Sequence, residues 1–143
     1  MRMESFKAAF ATICLLGLGC SLSAQNPPIA REKDEVFVLD FEDLQYPPLA
    51  RHAHLQGTVI VQVKLDDKGS VTDAVAISGL SIFSLDAVTN VKKWHFEPNA
   101  RRSAVIVYNF EIIEGRCNTD ASLFVLQQRN VAKVIACPAN PNP

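Results

Sequence analysis

The strongest constraint on the fold is an alternation of apolar and mostly polar residues on both sides of a short turn segment. Residues 59–65 read VIVQVKL, DDKG follows at 66–69, and the alternation resumes over residues 71–77. A period of two predicts strands with one buried face, and two such runs around a glycine-containing turn predict a β-hairpin. Gly69 stands where the turn needs a positive φ, which glycine adopts without a steric cost. The chain therefore contains antiparallel sheet.

Helical signals lie on both sides of this hairpin. The segment YPPLARHAHLQG at 46–57 begins with prolines that suit the first turn of a short helix. In SIFSLDAVTNVKKW at 81–94, apolar residues recur at every third position and predict a helix with one buried side. This stripe consists of Ile82, Leu85, Val88, Val91 and Trp94. A third strand is predicted at 103–112, where alternation returns.

The segment VKKWHFEPNARR at 91–102 concentrates aromatic, imidazole and cationic groups. We expect a structural role, in which Trp94 closes the helical stripe, Phe96 packs beneath the turn and Pro98 helps to reverse the chain. His95 alternates with these aromatic residues and is predicted to point outward. The alternative is an anion site formed by Arg101 and Arg102.

The N-terminus has the pattern of an export signal. Arg2 and Lys7 precede the apolar run AAFATICLLGLG, which is shorter than the ~20 residues of a membrane-spanning helix. We expect a signal peptide at residues 1–24 with cleavage after Ala24. Two alternatives stay open: lipidation at Cys20, because LGLGC resembles a bacterial lipoprotein box, and an uncleaved membrane anchor.

Two cysteines, Cys117 and Cys137, remain in the exported part of the chain. They are symmetric about residue 127, between the apolar runs SLFVL and VAKVIA. A hairpin that turns there would bring the cysteines together near its open end, and an oxidising compartment favours a disulfide. The alternative is two unpaired buried thiols. A zinc or redox site is disfavoured because the chain has no CxxC motif.

Composition and motifs argue against several functional classes. The net charge of −1 provides no basic surface for nucleic acid. His52 and His54 are two residues apart, so a helix would direct them away from each other rather than toward a shared metal. No nucleophile triad, carboxylate pair or glycine-rich phosphate loop stands out. We therefore predict no enzyme, no cofactor, no metal and no small-molecule substrate, and a hydrolase that uses His95 is an alternative without a motif.

The order helix, hairpin, helix, strand, together with YPPLA, DDKGSV and WHFEP, resembles the C-terminal domain of the TonB energy-transducer family. The resemblance runs from Tyr46 to about Ile112. The residues that carry the family motif are predicted to be structural, and they are Tyr46, Pro47, Gly57, Gly69, Trp94, Phe96 and Pro98. Together these patterns divide the chain into a signal peptide (1–24), an acidic linker (25–45) with a candidate apolar strand at VFVL, the TonB-like domain (46–112), a C-terminal hairpin extension (113–137) and a disordered tail (138–143).

The resemblance implies an α+β fold in which two helices pack on a three-stranded antiparallel sheet of order 2-1-3. To this the chain adds its disulfide-linked hairpin. The strands near 70–77 and 103–112 would then be edges. Family members bind a short extended segment of outer-membrane transporters as an added strand. The resemblance therefore implies a docking edge at Ala104, Ile106, Tyr108 and Phe110.

The expected function is that of a periplasmic module that binds outer-membrane transporters or other envelope proteins by strand addition, in association with TonB-dependent transport. A true transducer has an uncleaved inner-membrane helix and a long proline-rich spacer, and this sequence predicts neither. The alternative is a homodimeric scaffold of the cell envelope that pairs through its own edge strands. Whether the C-terminal hairpin covers the docking edge is left open by the sequence.

Overall fold

A computed structural model describes residues 36–114 and 121–139, which lie within the compact unit Glu32–Pro143. The predicted signal peptide, Cys20 and Cys117 fall outside the described residues. Two α-helices and seven strands occur in the described part. In chain order they are β1 (Val38–Asp40), α1 (Pro48–His52), β2 (Gly57–Leu65), β3 (Val71–Ser78), α2 (Ser81–Val91), β4 (His95–Phe96), β5 (Ser103–Ile112), β6 (Leu123–Gln127) and β7 (Val131–Ala136).

The main sheet has five strands in the order β3-β2-β5-β7-β6. Strand β2 pairs antiparallel with both β3 and β5, so the predicted order 2-1-3 is confirmed for the first three strands. The prediction of an exclusively antiparallel, three-stranded sheet is wrong. Strand β7 adds to β5 in parallel, and β6 then pairs antiparallel with β7. The sheet is therefore mixed.

The C-terminal hairpin has an unexpected position relative to β5. After β5 the chain first forms β6, which is the outermost strand on this side of the sheet. It then forms β7, which lies between β5 and β6. The side chains of Ala132, Val134 and Ala136 are buried on the helix side, so β7 completes the core. On the other face Lys133 forms an ion pair with Glu111 at 3.1 Å. These contacts favour β7 over β6 as the neighbour of β5.

The turn of this hairpin is displaced from its predicted position. The prediction of a hairpin is confirmed, but the chain reverses through Arg129 and Asn130, which have φ values of 60° and 56°, rather than at residue 127. Leu123 pairs with Ile135, and the same register would place residue 121 opposite Cys137. Cys117 lies outside the described residues, so its pairing with Cys137 stays a prediction.

The segment before α1 also contributes to the fold. Strand β1 pairs with β4, with Val38 opposite Phe96, and the Glu97 amide donates to the Phe37 carbonyl at 2.7 Å. The residues predicted as an acidic linker therefore include a strand, which overlaps the candidate strand at VFVL and lies slightly later in the chain.

The core lies between the helices and one face of the sheet. The predicted buried stripe of α2 is wrong in part, because Leu85 is 72% exposed. The buried residues of α2 are Phe83, Ala87, Asn90 and Val91. A repeat of three drifts around a helix that has ~3.6 residues per turn, whereas steps of four, three and one keep these side chains on a single face.

We expect Gly69→Ala to destabilise the fold by about 3 kcal/mol. Gly69 has a φ of 88°, and an added Cβ would lie 1.8 Å from the main-chain oxygen of Phe96, whose amide donates to the Gly69 carbonyl. The matched control is Gly57→Ala, because its Cβ would meet the nearest atom, on the Phe83 ring, at an ordinary 3.7 Å. Urea unfolding measures both variants. Equal losses of stability would contradict this account of the turn.

Candidate protein-binding site

The four residues predicted to form the docking edge all lie in β5 with buried side chains. Ala104, Ile106, Tyr108 and Phe110 point toward the helices and belong to the core. Only the main chain of β5 is therefore available to pair with another strand. The side chains of the opposite face, such as Val105, are those that a partner could contact.

Strand β7 covers most of the edge that was predicted to be open. Its ladder with β5 extends from Val107, opposite Val131, to Ile112, opposite Ala136. The prediction that 103–112 is an edge strand is therefore wrong for residues 107–112. Residues 103–106 pair with β2 on one side. On the other side they have no strand partner among the described residues.

The direction of the main-chain groups identifies which residues of this uncovered part face outward. The Leu65 amide of β2 donates to the Arg102 carbonyl at 2.8 Å, and the Ile113 amide donates to the Ala136 carbonyl of the β7 side at 3.0 Å. Main-chain groups alternate in direction along a strand. Odd-numbered residues of β5 therefore face the β7 side. In the uncovered part these are Ser103, whose amide donates to Asn99 Oδ1 at 3.4 Å, and Val105.

Strand β3 forms one outer edge of the sheet and is protected against pairing. Its ladder with β2 contains two register shifts, which interrupt a regular edge. Asp73 accepts a hydrogen bond from the Ala74 amide at 3.0 Å and lies 3.6 Å from Lys64 Nζ. Irregular pairing and charged side chains are the devices with which proteins protect their edge strands.

Strand β6 forms the other outer edge and lacks these devices. Its sequence LFVLQ has no charge and no proline, and its ladder with β7 has no register shift. The ring of Phe124 lies 5.7 Å from the ring of Phe41, which is itself 41% exposed. Strand β6 is therefore a regular, uncharged edge with apolar neighbours.

A buried polar side chain, Asn90 of α2, holds β5 in position. Its Oδ1 accepts hydrogen bonds from Trp94 Nε1 at 3.0 Å and from the Tyr108 hydroxyl at 2.9 Å. Its Nδ2 donates to the main-chain oxygens of Glu42 at 3.0 Å and Asp43 at 3.4 Å. Burial raises the pKa of Tyr108, so this hydroxyl stays protonated and continues to donate. The sequence analysis missed this residue, although it lies seven positions after Phe83 and four before Trp94 on the buried side.

Aromatic packing forms the second support of β5. The rings of Phe83 and Phe110 stack with centroids 4.2 Å apart, and Tyr46 meets both rings edge-on. The Tyr46 hydroxyl donates to the Leu55 carbonyl, and burial raises its pKa to about 12. The Tyr46 amide donates to Ser122 Oγ at 2.9 Å, which connects the start of β6 to the domain.

Of the other predicted structural residues, the structure buries Pro47, Gly69, Trp94 and Phe96, leaves Gly57 partly buried and exposes Pro98.

The polar groups around Trp94 are engaged locally. Half-buried His95 has its Nδ1 3.3 Å from Ser70 Oγ, so the prediction that it simply points outward is incomplete. Arg102 forms an ion pair with Asp67, which competes with the alternative of an anion site.

In residues 36–114 and 121–139, no three His, Cys, Asp or Glu side chains are grouped to hold a metal ion. In the same residues, no helix has the length and apolar character needed to cross a membrane.

We expect Asn90→Ala to cost about 3 kcal/mol of folding free energy. The substitution removes the partner of the buried donors of Trp94 and Tyr108 and of the main-chain carbonyls of Glu42 and Asp43. A buried polar group without a partner costs roughly 1–3 kcal/mol. The control is Thr89→Ala, an exposed position on the same helix whose hydroxyl donates to the Leu85 carbonyl. Chemical denaturation compares the two. If Asn90→Ala lowered the free energy of unfolding no more than the control does, the hydrogen bonds of Asn90 would not hold β5 in position.

The family comparison matches the part of the chain that contains α1 to β5. The family model of the Gram-negative bacterial TonB protein C-terminal matches residues 42–112. The solution NMR structure of the Pseudomonas aeruginosa TonB CTD is similar, with 22% identity and a TM-score of 0.47, over 57% of this chain and 91% of that chain. No curated protein matches significantly. Strands β6 and β7 lie beyond the residues that the family model matches.

Proposed function

Residues 42–112 belong to the TonB C-terminal domain family, and on this premise we propose that the chain is a protein-binding module of the bacterial cell envelope. It binds outer-membrane transporters or other envelope proteins by β-strand addition and is associated with TonB-dependent transmembrane transport. In this mode an extended partner segment forms hydrogen bonds with the main chain of an edge strand. The proposal includes no catalysis, cofactor, metal or nucleic acid.

The observation that supports this proposal most directly is the uncovered part of β5, residues 103–106. It belongs to the family domain, and the main-chain groups of Val105 point to the side that no described strand occupies. Ala104 and Ile106, two of the four predicted docking residues, lie in this part. Tyr108 and Phe110 lie where β7 pairs. A partner strand that extends past residue 106 therefore has to replace β7.

The proposed location is the periplasm. The sequence supports it through the predicted signal peptide at residues 1–24, with lipidation at Cys20 or an uncleaved anchor as the alternatives. The proposed disulfide between Cys117 and Cys137 suits an oxidising compartment. Support for it comes from Cys137, which is buried directly after β7. Such a bond would restrain the hairpin that lies beside β5.

A homodimeric scaffold of the cell envelope is the second candidate function. The specific observation in its favour is β6, the outer strand that lacks charge, proline and register shifts. Dimer formation through β6 does not exclude partner binding at β5, because the two strands lie on different parts of the sheet.

We predict that N-terminal peptides from outer-membrane transporters of the same organism bind the oxidised protein at residues 103–106. In an NMR titration, amide shifts should concentrate there, with further changes in β7 where the partner strand begins to compete with it. Hydrogen bonding to exposed main-chain groups moves these amide signals most. The absence of any shift at millimolar peptide would remove strand addition as the function.

The variant Val105→Pro tests the main-chain contact specifically. Proline removes the outward-facing amide, and a strand tolerates it where the amide does not serve the ladder. We expect the dissociation constant to rise at least about tenfold, which corresponds to ~1.4 kcal/mol. The matched control, Val105→Thr, keeps the amide and the β-branched shape. Equal peptide affinity of the two variants would show that the contact does not involve the Val105 amide. The amide spectrum of each free variant verifies that it is folded.

A further inference from the structure

The outer edge of β6 has main-chain groups that point away from the sheet. The Ala136 carbonyl accepts from the Ile113 amide, so Ala132, Val134 and Ala136 face β5. By alternation, Val131, Lys133 and Ile135 face β6 and form hydrogen-bonded pairs with its odd-numbered residues. The groups of Phe124 and Leu126 therefore face outward. They have no partner among the described residues.

We propose that β6 is a dimer interface at which a second copy of this chain pairs in antiparallel orientation. A two-fold axis passes through Val125, so that each copy contributes the same strand. The two five-stranded sheets then join into one continuous sheet. Such a self-complementary contact is the usual form of a symmetric dimer.

The register about Val125 follows from the pattern of the strand. It places Phe124 opposite Leu126 of the second copy as a hydrogen-bonded pair, with both residues on the helix side. Val125 faces its own copy as a non-hydrogen-bonded pair, where side chains are closest. Leu123 faces Gln127 on the open side. This register pairs all five residues of β6 with the second copy. If the two-fold axis were shifted by one residue in either direction, part of β6 would be unpaired.

The charge distribution favours a second copy at β6 and disfavours one at β3. Strand β6 has no charged residue, so the symmetric pairing brings no like charges together. Strand β3 contains Asp73, whose carboxylate already accepts from the edge amide of Ala74. Like charges in directly opposed positions destabilise strand pairs, and an uncharged, regular edge is the form that pairs readily.

The surroundings of β6 enlarge the apolar contact on its helix side. Phe41 packs on Phe124, and its ring also lies 5.8 Å from that of Trp94, yet the residue remains 41% exposed. Leu123 is exposed on the other side of the strand. Pairing of two copies would bring Phe41 and Leu123 of each toward the contact, which adds apolar burial to the main-chain hydrogen bonds.

This inference deepens the second candidate function, the homodimeric scaffold, and does not rest on partner binding at β5. It depends on β6, which lies beyond the residues that the family model matches, whereas partner binding depends on residues 103–106 of β5. The joined sheet leaves that part of β5 uncovered. Dimer formation and transporter binding can therefore succeed or fail separately.

The first test is the mass in solution of the oxidised protein, measured by sedimentation over a range of concentrations. We expect a dimer, and we expect Val125→Glu to raise its dissociation constant at least about tenfold, since two carboxylates meet on the axis. Within its own hairpin Glu would face Lys133, so the fold is kept. The control, Val75→Glu, alters an exposed valine of the opposite edge strand and should leave the dimer unchanged.

The second test is disulfide cross-linking of Val125→Cys. In a non-hydrogen-bonded antiparallel pair the two Cα atoms are ~4.5 Å apart, within the ~4.4–6.8 Å that a disulfide spans. We expect a covalent dimer that a reductant separates, and none from Val75→Cys. A monomeric wild type at high micromolar concentration would overturn the inference, as would equal cross-linking of both variants. Transporter-peptide shifts at 123–127 in a monomer would assign β6 to a different partner.

Discussion

The parallel pairing of β5 with β7 determines which surfaces of this protein can bind another strand. It places six residues of the C-terminal extension along residues 107–112 of β5 and makes that strand internal to the sheet over this length. Among the described residues, the edges of the main sheet are consequently residues 103–106 of β5, the protected strand β3 and the regular strand β6. Because an extended partner binds through unpaired main-chain groups, the functional proposals depend on where this ladder begins and ends.

The support beneath β5 explains why its uncovered part can act as a defined edge. Asn90 joins the helix α2, the segment at Glu42 and Asp43, and Tyr108 of β5 through four hydrogen bonds. Stacking of Phe110 on Phe83 fixes the other end of the strand. Both supports lie on the helix side of the sheet. The strand is therefore held from one face, while its outward main-chain groups at Val105 are already ordered before a partner arrives, which lowers the cost of binding.

The sequence predicts the parts of the fold that depend on local pattern, and it fails where the pairing is non-local. Alternation around DDKG identified the β2–β3 hairpin, and the motif around Trp94 identified the helix exit. The helical stripe through Leu85 was wrong because spacing by three only approximates the helical period. The position of β7 was not predictable from the run VAKVIA, because its partner is distant along the chain and a hairpin pattern does not specify which of its strands joins the sheet. Asn90 was overlooked because a polar residue in an apolar helix signals a buried network only when its partners are known.

Amide hydrogen exchange measured by NMR tests the central claim directly, because it reports each main-chain group of β5 separately. The amides of Asn109 and Glu111 face β7 and should exchange slowly, whereas the amide of Val105, on the uncovered side of the same strand, should exchange quickly. This contrast within one strand would establish that the C-terminal extension covers the edge only from residue 107 onward. Exchange at Asn109 and Glu111 as rapid as at Val105 would show that β7 does not pair with β5 in solution and would contradict the account.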